Sequence, residues 1–332
     1  PFAILAGVAT SWLTPTKMGP KRILQALALG ARNTILVGVL LVVVGLIVNA
    51  LATAGVGPTL SQMMKEWAGG ELLIALVLIA LASLVLGMGL PVTAAYIVLA
   101  TISAPALFDL ILQADMTALL ASGAAPEGAK AIAMLAAPEA IEKLAGPMSI
   151  DDANALMAAI PADIAPTFFD ALKDGLNPAA ITTAVVSAHM IIFWLSQDSN
   201  VTPPVCLTAF IAASIAGSRP MATGVTAWRI AKGLYVVPVL FAFTPFLSGD
   251  FDAALRIFAF ALVGVYGLTA ALEGYAESPM PLVIRPVLFA AGVAALWPEP
   301  LLVNLAGVAA IIAIVSGGAM MARRAAATTV AE

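Results

Sequence analysis

Charged and metal-binding side chains are scarce in this sequence. Only 10% of the 332 residues are Asp, Glu, Lys or Arg, whereas 62% are hydrophobic. A soluble domain of this length needs far more polar surface to cover its core, so the composition excludes an ordinary soluble protein. The single cysteine, Cys206, excludes an internal disulfide and a cysteine-based metal cluster. The single histidine, His189, excludes multi-histidine metal sites and is expected either to hydrogen-bond between packed helices or to carry a proton.

Hydrophobic residues come in blocks of the length needed to cross a bilayer, which takes about 20 residues of helix. These blocks cover 34–52, 72–107, 181–195, 235–247, 257–272 and 301–321. The mean hydropathy of the chain is +1.04. The sequence therefore predicts an all-α polytopic membrane protein in a lipid bilayer, with no nucleic-acid partner.

The distribution of charge predicts the orientation of the chain. Segments 14–32 and 218–233 carry Lys and Arg but no acid, and both are interpreted as basic loops on the cytoplasmic side. Segment 106–178 holds ten acids against three lysines and is expected on the opposite side of the membrane. Because 1–13 is apolar but too short to span, the sequence is expected to begin inside a transmembrane helix.

Segment 71–107 predicts a helical hairpin. It is too long for one ordinary span, and residues 87–91 place two glycines and a proline within five positions. Glycine frees the backbone and proline removes a donor, so a helix should break there. Each arm then has about 16 residues, which is marginal for a full crossing. We expect a re-entrant hairpin that completes a first segment, 1–107.

The next segment, 108–178, differs in composition, with alanine, proline and spaced acids. Apolar residues recur at helical spacing in 129–144 and 150–160, which predicts a small helical domain outside the membrane. The alternative is a disordered acidic loop.

A second break is predicted in the third segment, 179–248. Apolar halves at 180–195 and 205–216 flank the polar centre 196–204, so we expect a discontinuous helix followed by a basic loop and a transmembrane helix. The fourth segment, 249–332, is expected to hold further membrane spans, broken at 297–300, and the topology of 286–322 is left open.

The two breaks predict an ion and substrate site. Helix ends near Leu86 and Leu195 offer carbonyl groups that suit Na⁺, and helices starting at Pro91 and Pro203 offer N–H groups that suit a carboxylate. The predicted substrate-binding residues are Gly89, Pro91, Thr93, Asn200, Thr202 and Pro203, with Thr202 also a candidate N-cap. The predicted ion-coupling residues are Gly87, Ser196, Asp198, Ser199 and Asn200. The predicted Na⁺ ligands are Gly87, Thr93, Asp198 and Thr202.

Asp198 is the most specific of the predicted site residues. It is the only acid between Asp174 and Asp250, and a bare carboxylate deep in a membrane is costly unless it is paired, protonated or hydrated. The functional interpretation is coupling to Na⁺ or a proton. The alternative is an interfacial loop in which Asp198 is solvated.

The segments 87–96 (GMGLPVTAAY) and 200–205 (NVTPPV) together resemble the large membrane subunit of tripartite ATP-independent periplasmic (TRAP) transporters. The sequence is most similar to the C-terminal half of the fused permease that works with TAXI-type binding proteins. The stretches 53–57, 216–221, 243–245 and 272–275 add to the resemblance, which covers nearly the whole chain except about 108–178.

The resemblance implies an elevator-type carrier of small organic anions in the bacterial inner membrane, often driven by Na⁺, with no cofactor besides the coupling ion. It implies two partners: a periplasmic TAXI-type binding protein, and the remaining N-terminal half or small membrane subunit of the permease. Segment 108–178 would then offer a docking surface for the binding protein. Three rivals stay open: a dicarboxylate symporter or cation antiporter without a binding protein, an intramembrane enzyme, and a structural subunit. No serine–histidine–acid spacing, catalytic aspartate pair or metal-ligand cluster supports the enzyme.

Overall fold

The computed structural model describes residues 2–15, 17–136, 146–161, 163–204, 206–298 and 300–331. Helices dominate this part of the chain, which agrees with the predicted fold class. The helices of its first half are α1 Phe2–Ser11, α2 Pro20–Thr53, α3 Val56–Ala68, α4 Leu72–Gly87, α5 Val92–Ala121, α6 Glu127–Ala136, α7 Ile150–Ala159 and α8 Ala165–Lys173. The helices of its second half are α9 Pro178–Ser196, α10 Leu207–Ala216, α11 Pro220–Ile230, α12 Val237–Phe243, α13 Phe251–Glu273, α14 Ile284–Leu296 and α15 Leu301–Ala331. Short 3₁₀ turns lie at Gln197–Asn200, Ala231–Tyr235 and Pro245–Leu247, and strands β1 Tyr275–Ala276 and β2 Ser278–Pro279 form a small antiparallel hairpin.

Five stretches of the described residues are long and apolar enough to cross a membrane. They are Val92–Ala121, Pro178–Asn200, Pro220–Phe243, Phe251–Glu273 and Leu301–Met321. The chain is therefore a multi-pass membrane protein.

The chain divides into two units after Gly55. The first unit contains α1 and α2. Within it, Trp12 Nε1 donates to Met18 O at 3.1 Å and Met18 N donates to Ser11 Oγ at 3.3 Å, which fixes the turn between the two helices. The prediction of a basic loop at 14–32 is wrong for residues 20–32, because these residues form the start of α2. Proline is favoured in the first helical turn, and the Lys, Arg, Leu and Ala that follow are good helix formers.

The predicted helix break at 87–91 is confirmed in the second unit. Helix α4 ends at Gly87, Leu90 N donates to Leu86 O at 2.9 Å, and Pro91 is extended before α5 begins. The second arm is longer than expected, however. Helix α5 runs for 30 residues to Ala121, so it continues through residue 107, where the predicted segment ended.

Helix α9 packs against both arms of this hairpin. Leu76 and Ile79 of α4, Leu99 and Leu107 of α5, Ile191, Ile192 and Leu195 of α9, and Phe241 of α12 form one buried core. Ser83 Oγ of α4 also donates to Leu195 O at 2.8 Å. This core holds the tip of the hairpin beside the end of α9.

Segment 108–178 is folded where it is described, as predicted. Helices α6, α7 and α8 pack on the second half of α5 around buried Leu112, Met116, Phe168 and Leu172. Residues 137–145, the second half of one predicted helix, lie outside the described residues.

A charged network joins α3, α5 and α8. Asp109 of α5 forms ion pairs with Lys65 of α3 and with Lys173 of α8, the latter at 2.7 Å. Lys173 also pairs with Asp170 at 2.9 Å. Burial disfavours the charge of Lys173, but hydrogen bonds and charges from Asp109 and Asp170 outweigh it and raise the pKa of Lys173 above its ordinary value of 10.5. Because the folded pKa is raised, this stabilisation is fully present below pH 10.5 and is lost only as the pH rises through the raised pKa.

Asp109→Asn is therefore expected to destabilise the second unit. The Asp109 side chain is only 14% exposed, so losing both pairs should cost about 1–3 kcal/mol, between the values for exposed and buried pairs. Thermal unfolding in detergent measures the effect. Asp115→Asn is the matched control, since Asp115 is exposed on the same helix. Equal unfolding temperatures for the two variants would contradict the stabilising role of the network.

The predicted discontinuous helix is also confirmed, with one correction. Helix α9 ends at Ser196, a 3₁₀ turn covers 197–200, and α10 begins at Leu207. A helix start at Pro203 with Thr202 as its N-cap was wrong, because Cys206 is the N-cap of α10. Two consecutive prolines explain the delay, since a proline disfavours helical geometry in the residue before it.

The expected basic loop at 218–233 was also wrong. Helix α11 occupies Pro220–Ile230, and the 3₁₀ turn at Ala231–Tyr235 follows it directly. Lys232 Nζ of this turn lies 2.6 Å from Glu273 Oε1 at the end of α13, and this pairing neutralises the cation.

Helices α13, α14 and α15 pack closely together. A Cβ on Gly307 would lie 2.4 Å from Ala295 N, so only glycine permits this approach of α15 to α14. The break expected at 297–300 separates these two helices, and Asn304 Nδ2 closes it by donating to Trp297 O at 2.6 Å. Glu299 lies outside the described residues.

Candidate functional site at the hairpin tip and the helix break

The hairpin tip touches the break after α9. A Cβ on Gly87 would lie 3.2 Å from Ser199 N and 3.3 Å from Ser199 Cα, which is tighter than side chains normally pack. Neither Gly87 nor Gly89 has a positive φ. The turn therefore uses glycine at position 87 for close approach and not for backbone freedom.

Three buried oxygens without partners lie in this break. Asp198 is 1% exposed, Ser199 5% and Thr202 4%. Asp198 Oδ2, Ser199 Oγ and Thr202 Oγ1 have no hydrogen-bond partner in the described part of the chain. Backbone hydrogen bonds of 3.0 and 2.9 Å from Val201 N and Thr202 N to Asp198 O hold the three residues in one tight turn.

Tyr235 completes this group from a distant part of the chain. Its hydroxyl donates to Asp198 Oδ1 at 2.8 Å, so that one carboxylate oxygen is satisfied and the other is not. We call Gly87, Asp198, Ser199, Thr202 and Tyr235 the Asp198 cluster.

The Asp198 cluster has the chemistry of a cation or proton site. A buried polar atom without a partner costs free energy, and a buried carboxylate costs more unless it is paired or protonated. One carboxylate oxygen and two hydroxyl oxygens are hard ligands of the kind that alkali and alkaline-earth cations prefer. A proton on Asp198 Oδ2 would remove the charge instead.

Helix-end carbonyls, by contrast, are already used within the fold. Leu195 O accepts from Ser83 Oγ, and Leu86 O accepts from Gly89 N and Leu90 N at 3.0 and 2.9 Å. These two carbonyls thus have donors within the fold, whereas the predicted side-chain ligands Asp198, Ser199 and Thr202 each keep an oxygen without a partner among the described residues.

The other predicted residues of the break hold its shape. Ser196 Oγ donates to Ile192 O at 2.7 Å. Asn200 donates to Gln197 Oε1 and accepts from Thr208 Oγ1, each at 3.1 Å. Pro203 is half-buried. Ser196 and Asn200 thus form hydrogen bonds to residues of the break and of the helices that flank it.

The three remaining predicted residues lie at the hairpin tip and at the start of α5. Gly89, Pro91 and Thr93 are exposed, and nothing lies within 4 Å of a Cβ built on Gly89. Thr93 lines a cavity together with Tyr96 and His189. The sequence had suggested Thr93 and Asp198 as ligands of the same Na⁺ ion. The structure therefore brings Gly87, Asp198 and Thr202 into one cluster and places Thr93 in a cavity whose lining includes none of them.

Sequence reasoning missed Tyr235 and Tyr96. Tyr235 is 37 residues from Asp198, and no spacing rule connects the two positions. Tyr96 was quoted within a motif, but its contact with His189 was not foreseen. For each tyrosine, the sequence offered one indication of a functional contact, namely a hydroxyl group within an apolar block.

Tyr235→Phe is expected to weaken ion coupling without abolishing it. The variant leaves Asp198 Oδ1 without its donor, and the loss of one hydrogen bond corresponds to roughly a 3- to 10-fold change in apparent ion affinity. Ion-dependent uptake measures it, with Tyr266→Phe as the control because Tyr266 lies half-exposed on α13. An unchanged ion dependence in Tyr235→Phe would remove Tyr235 from the cluster.

The family model described as the DctM component of the tripartite ATP-independent periplasmic transporter matches residues 2–248. Comparisons with curated proteins and with solved structures found no match. DctM proteins are permease components of membrane transporters, not enzymes, and they associate with a substrate-binding protein and a small membrane subunit. Because the match spans well over half of the chain, the protein belongs to the DctM family of TRAP transporter membrane components.

Proposed function

We propose that this chain is the C-terminal half of a TAXI-type permease, which imports small carboxylates across the bacterial inner membrane on a gradient of Na⁺ or protons. The Asp198 cluster supports the proposal, because it holds three buried oxygens that have no partner among the described residues, at the point where a hairpin tip meets a broken helix. Secondary transporters build ion and substrate sites from discontinuous helices of this kind.

The contact between Gly87 and Ser199 suggests how an ion couples to movement. Binding a cation or proton at Asp198 relieves the cost of a buried charge. Because Ser199 belongs to the cluster and also touches Gly87, occupancy of the cluster stabilises the packing of the tip against the break. The hairpin and the broken helix, joined by their shared core, then move together in an elevator-type step that opens the site to each side in turn.

Uptake into proteoliposomes tests this function. The complete permease is reconstituted with its TAXI-type binding protein, and uptake of labelled organic acids is compared under imposed Na⁺ and proton gradients. Uptake that needs both a gradient and the binding protein supports the proposal. Uptake without any binding protein would favour an ordinary symporter, and uptake unaffected by either gradient would reject ion coupling.

A further inference from the structure

A cavity lies beside the hairpin, and its lining includes no residue of the Asp198 cluster. Its volume is about 390 Å³, and its lining comes from the first two turns of α5 and the middle of α9. The lining residues are Val92, Thr93, Tyr96, His189, Met190 and Phe193. We call it the His189 cavity.

His189 is unusual for its position. It lies in the middle of the apolar candidate span Pro178–Asn200, yet its side chain is exposed at the cavity. Ionisable groups within membrane spans are rare and usually face a pathway or a water-filled cavity. The contact between His189 and Tyr96 joins α9 to α5, as the helix-packing interpretation expects, and the exposure leaves the rest of the ring open to the cavity.

The Tyr96–His189 pair offers one free hydrogen-bond donor to the cavity. Tyr96 Oη lies 3.0 Å from His189 Nδ1, and His189 Nε2 has no partner in the described part of the chain. If the hydroxyl donates to Nδ1, the neutral ring carries its hydrogen on Nε2. If Nδ1 donates instead, the tyrosine O–H is free. Either tautomer therefore leaves a donor that suits an acceptor such as a carboxylate oxygen.

The start of α5 adds further donors at the same cavity. The first backbone hydrogen bond of α5 runs from Ala95 N to Pro91 O at 3.0 Å, which leaves the N–H groups of Val92 and Thr93 without backbone partners. The N-terminal end of a helix also carries partial positive charge. Thr93 adds its hydroxyl group.

The rest of the lining is apolar. Val92, Met190 and Phe193 supply aliphatic and aromatic surface, and the ring of Tyr96 meets that of Phe193 edge-on at 5.9 Å. No lysine or arginine is among the described lining residues, so a second carboxylate would find no cation here.

We infer that the His189 cavity binds the carboxylate and apolar body of a monocarboxylate, with His189 and Tyr96 as residues that determine specificity. This inference rests on the proposed function and adds the class of substrate. The carboxylate lies at the donors of His189 and the first turn of α5. The aliphatic body then lies against Val92, Met190 and Phe193. A dicarboxylate is disfavoured because its second charge would lie on this apolar wall.

Protection of a cysteine from labelling tests binding directly. Met190→Cys places a thiol in the cavity, while the native Cys206 is fully buried and serves as the unlabelled background. Modification by a maleimide is measured on the complete permease with 4-methylpentanoate or succinate present. We expect 4-methylpentanoate to slow labelling at lower concentration than succinate. Met134→Cys, on the exposed face of α6, is the control that neither probe should protect.

His189→Leu in the same background should raise the concentration of 4-methylpentanoate needed for half-protection about tenfold, because one hydrogen bond to a charged group is lost. His189→Gln, which retains an N–H donor, should restore much of the protection, and Tyr96→Phe checks the pair with a smaller change. Equal protection by the two probes, or protection unchanged in His189→Leu, would overturn the inference. If uptake depends on the gradient and the binding protein but neither probe protects the thiol, only the binding role of the His189 cavity is rejected. If 4-methylpentanoate protects the thiol but uptake does not depend on a gradient, the proposed function is rejected and the binding role of the cavity is retained.

Discussion

Gly87→Leu should abolish most of the transport activity, whereas Gly317→Leu should be tolerated. A Cβ at position 87 already lies 3.2–3.3 Å from backbone and side-chain atoms of Ser199, so a larger side chain must push the tip away from the break. Overpacking of this kind costs about 1–3 kcal/mol, which corresponds to roughly a 5- to 160-fold fall in uptake if the packed tip is the active state. Gradient-driven uptake by the reconstituted transporter measures it.

Gly317→Leu is the matched control for this substitution. Position 317 lies within α15, outside the predicted site, carries no positive φ and has open space around it. Both variants should insert into membranes in similar amounts. Equal activity of the two variants would show that the contact between Gly87 and Ser199 is not needed for transport.

Asp198→Asn should remove ion coupling while the fold is retained. The amide keeps an oxygen for the Tyr235 hydroxyl but removes the negative charge and puts an NH₂ group where Oδ2 lies without a partner. Losing a charged ligand corresponds to about 2–3 kcal/mol, or roughly 30- to 150-fold in apparent ion affinity. We expect uptake at moderate ion concentrations to fall to background, with part of it recovered at high concentration if Na⁺ is the coupling ion.

Asp252→Asn is the control, because it removes a carboxylate that does not belong to the Asp198 cluster. Asp252 is exposed in the first turn of α13, far along the chain from the cluster, and its substitution should leave ion-dependent uptake intact. Full activity of Asp198→Asn would reduce Asp198 to a structural residue. Equal losses in both variants would point to a general effect of charge.

The two breaks could be read from the sequence because their signals are local. Two glycines and a proline at 87–91, and polar residues with two prolines at 196–204, interrupt apolar runs that otherwise continue. Backbone chemistry at such positions disfavours a continuous helix whatever surrounds it. Helices ending at Gly87 and Ser196 agree with that expectation to within a residue or two.

The extents of the helices were harder to predict where charged residues occur. Charges at 20–32 and 220–232 were interpreted as loops, although both stretches contain good helix formers. The predicted hairpin ended at residue 107, where the acidic segment begins, but Lys65 and Lys173 pair with Asp109 and α5 continues. Such pairings depend on residues 44 and 64 positions away, which no local pattern reveals.

The composition of the candidate site could be predicted only in part. Asp198, Ser199 and Thr202 lie within one turn, so their proximity follows from sequence distance. The position of Thr93 could not be predicted in this way, because the side on which a helix residue lies depends on packing: Ala94 and Ala95 are buried while Thr93 is exposed. Tyr235 and the Tyr96–His189 pair arise from contacts between helices, which the sequence does not specify locally.

The most direct test of the Asp198 cluster is equilibrium ion binding to the purified complete permease. Radiolabelled Na⁺ is titrated at fixed pH, and proton uptake is followed with a pH indicator in the absence of Na⁺, for the wild type, Asp198→Asn and Asp252→Asn. We expect saturable binding of Na⁺ or protons by the wild type and Asp252→Asn, and its loss in Asp198→Asn. Undiminished binding in Asp198→Asn would contradict the assignment of the coupling ion to the buried oxygens beside the hairpin tip.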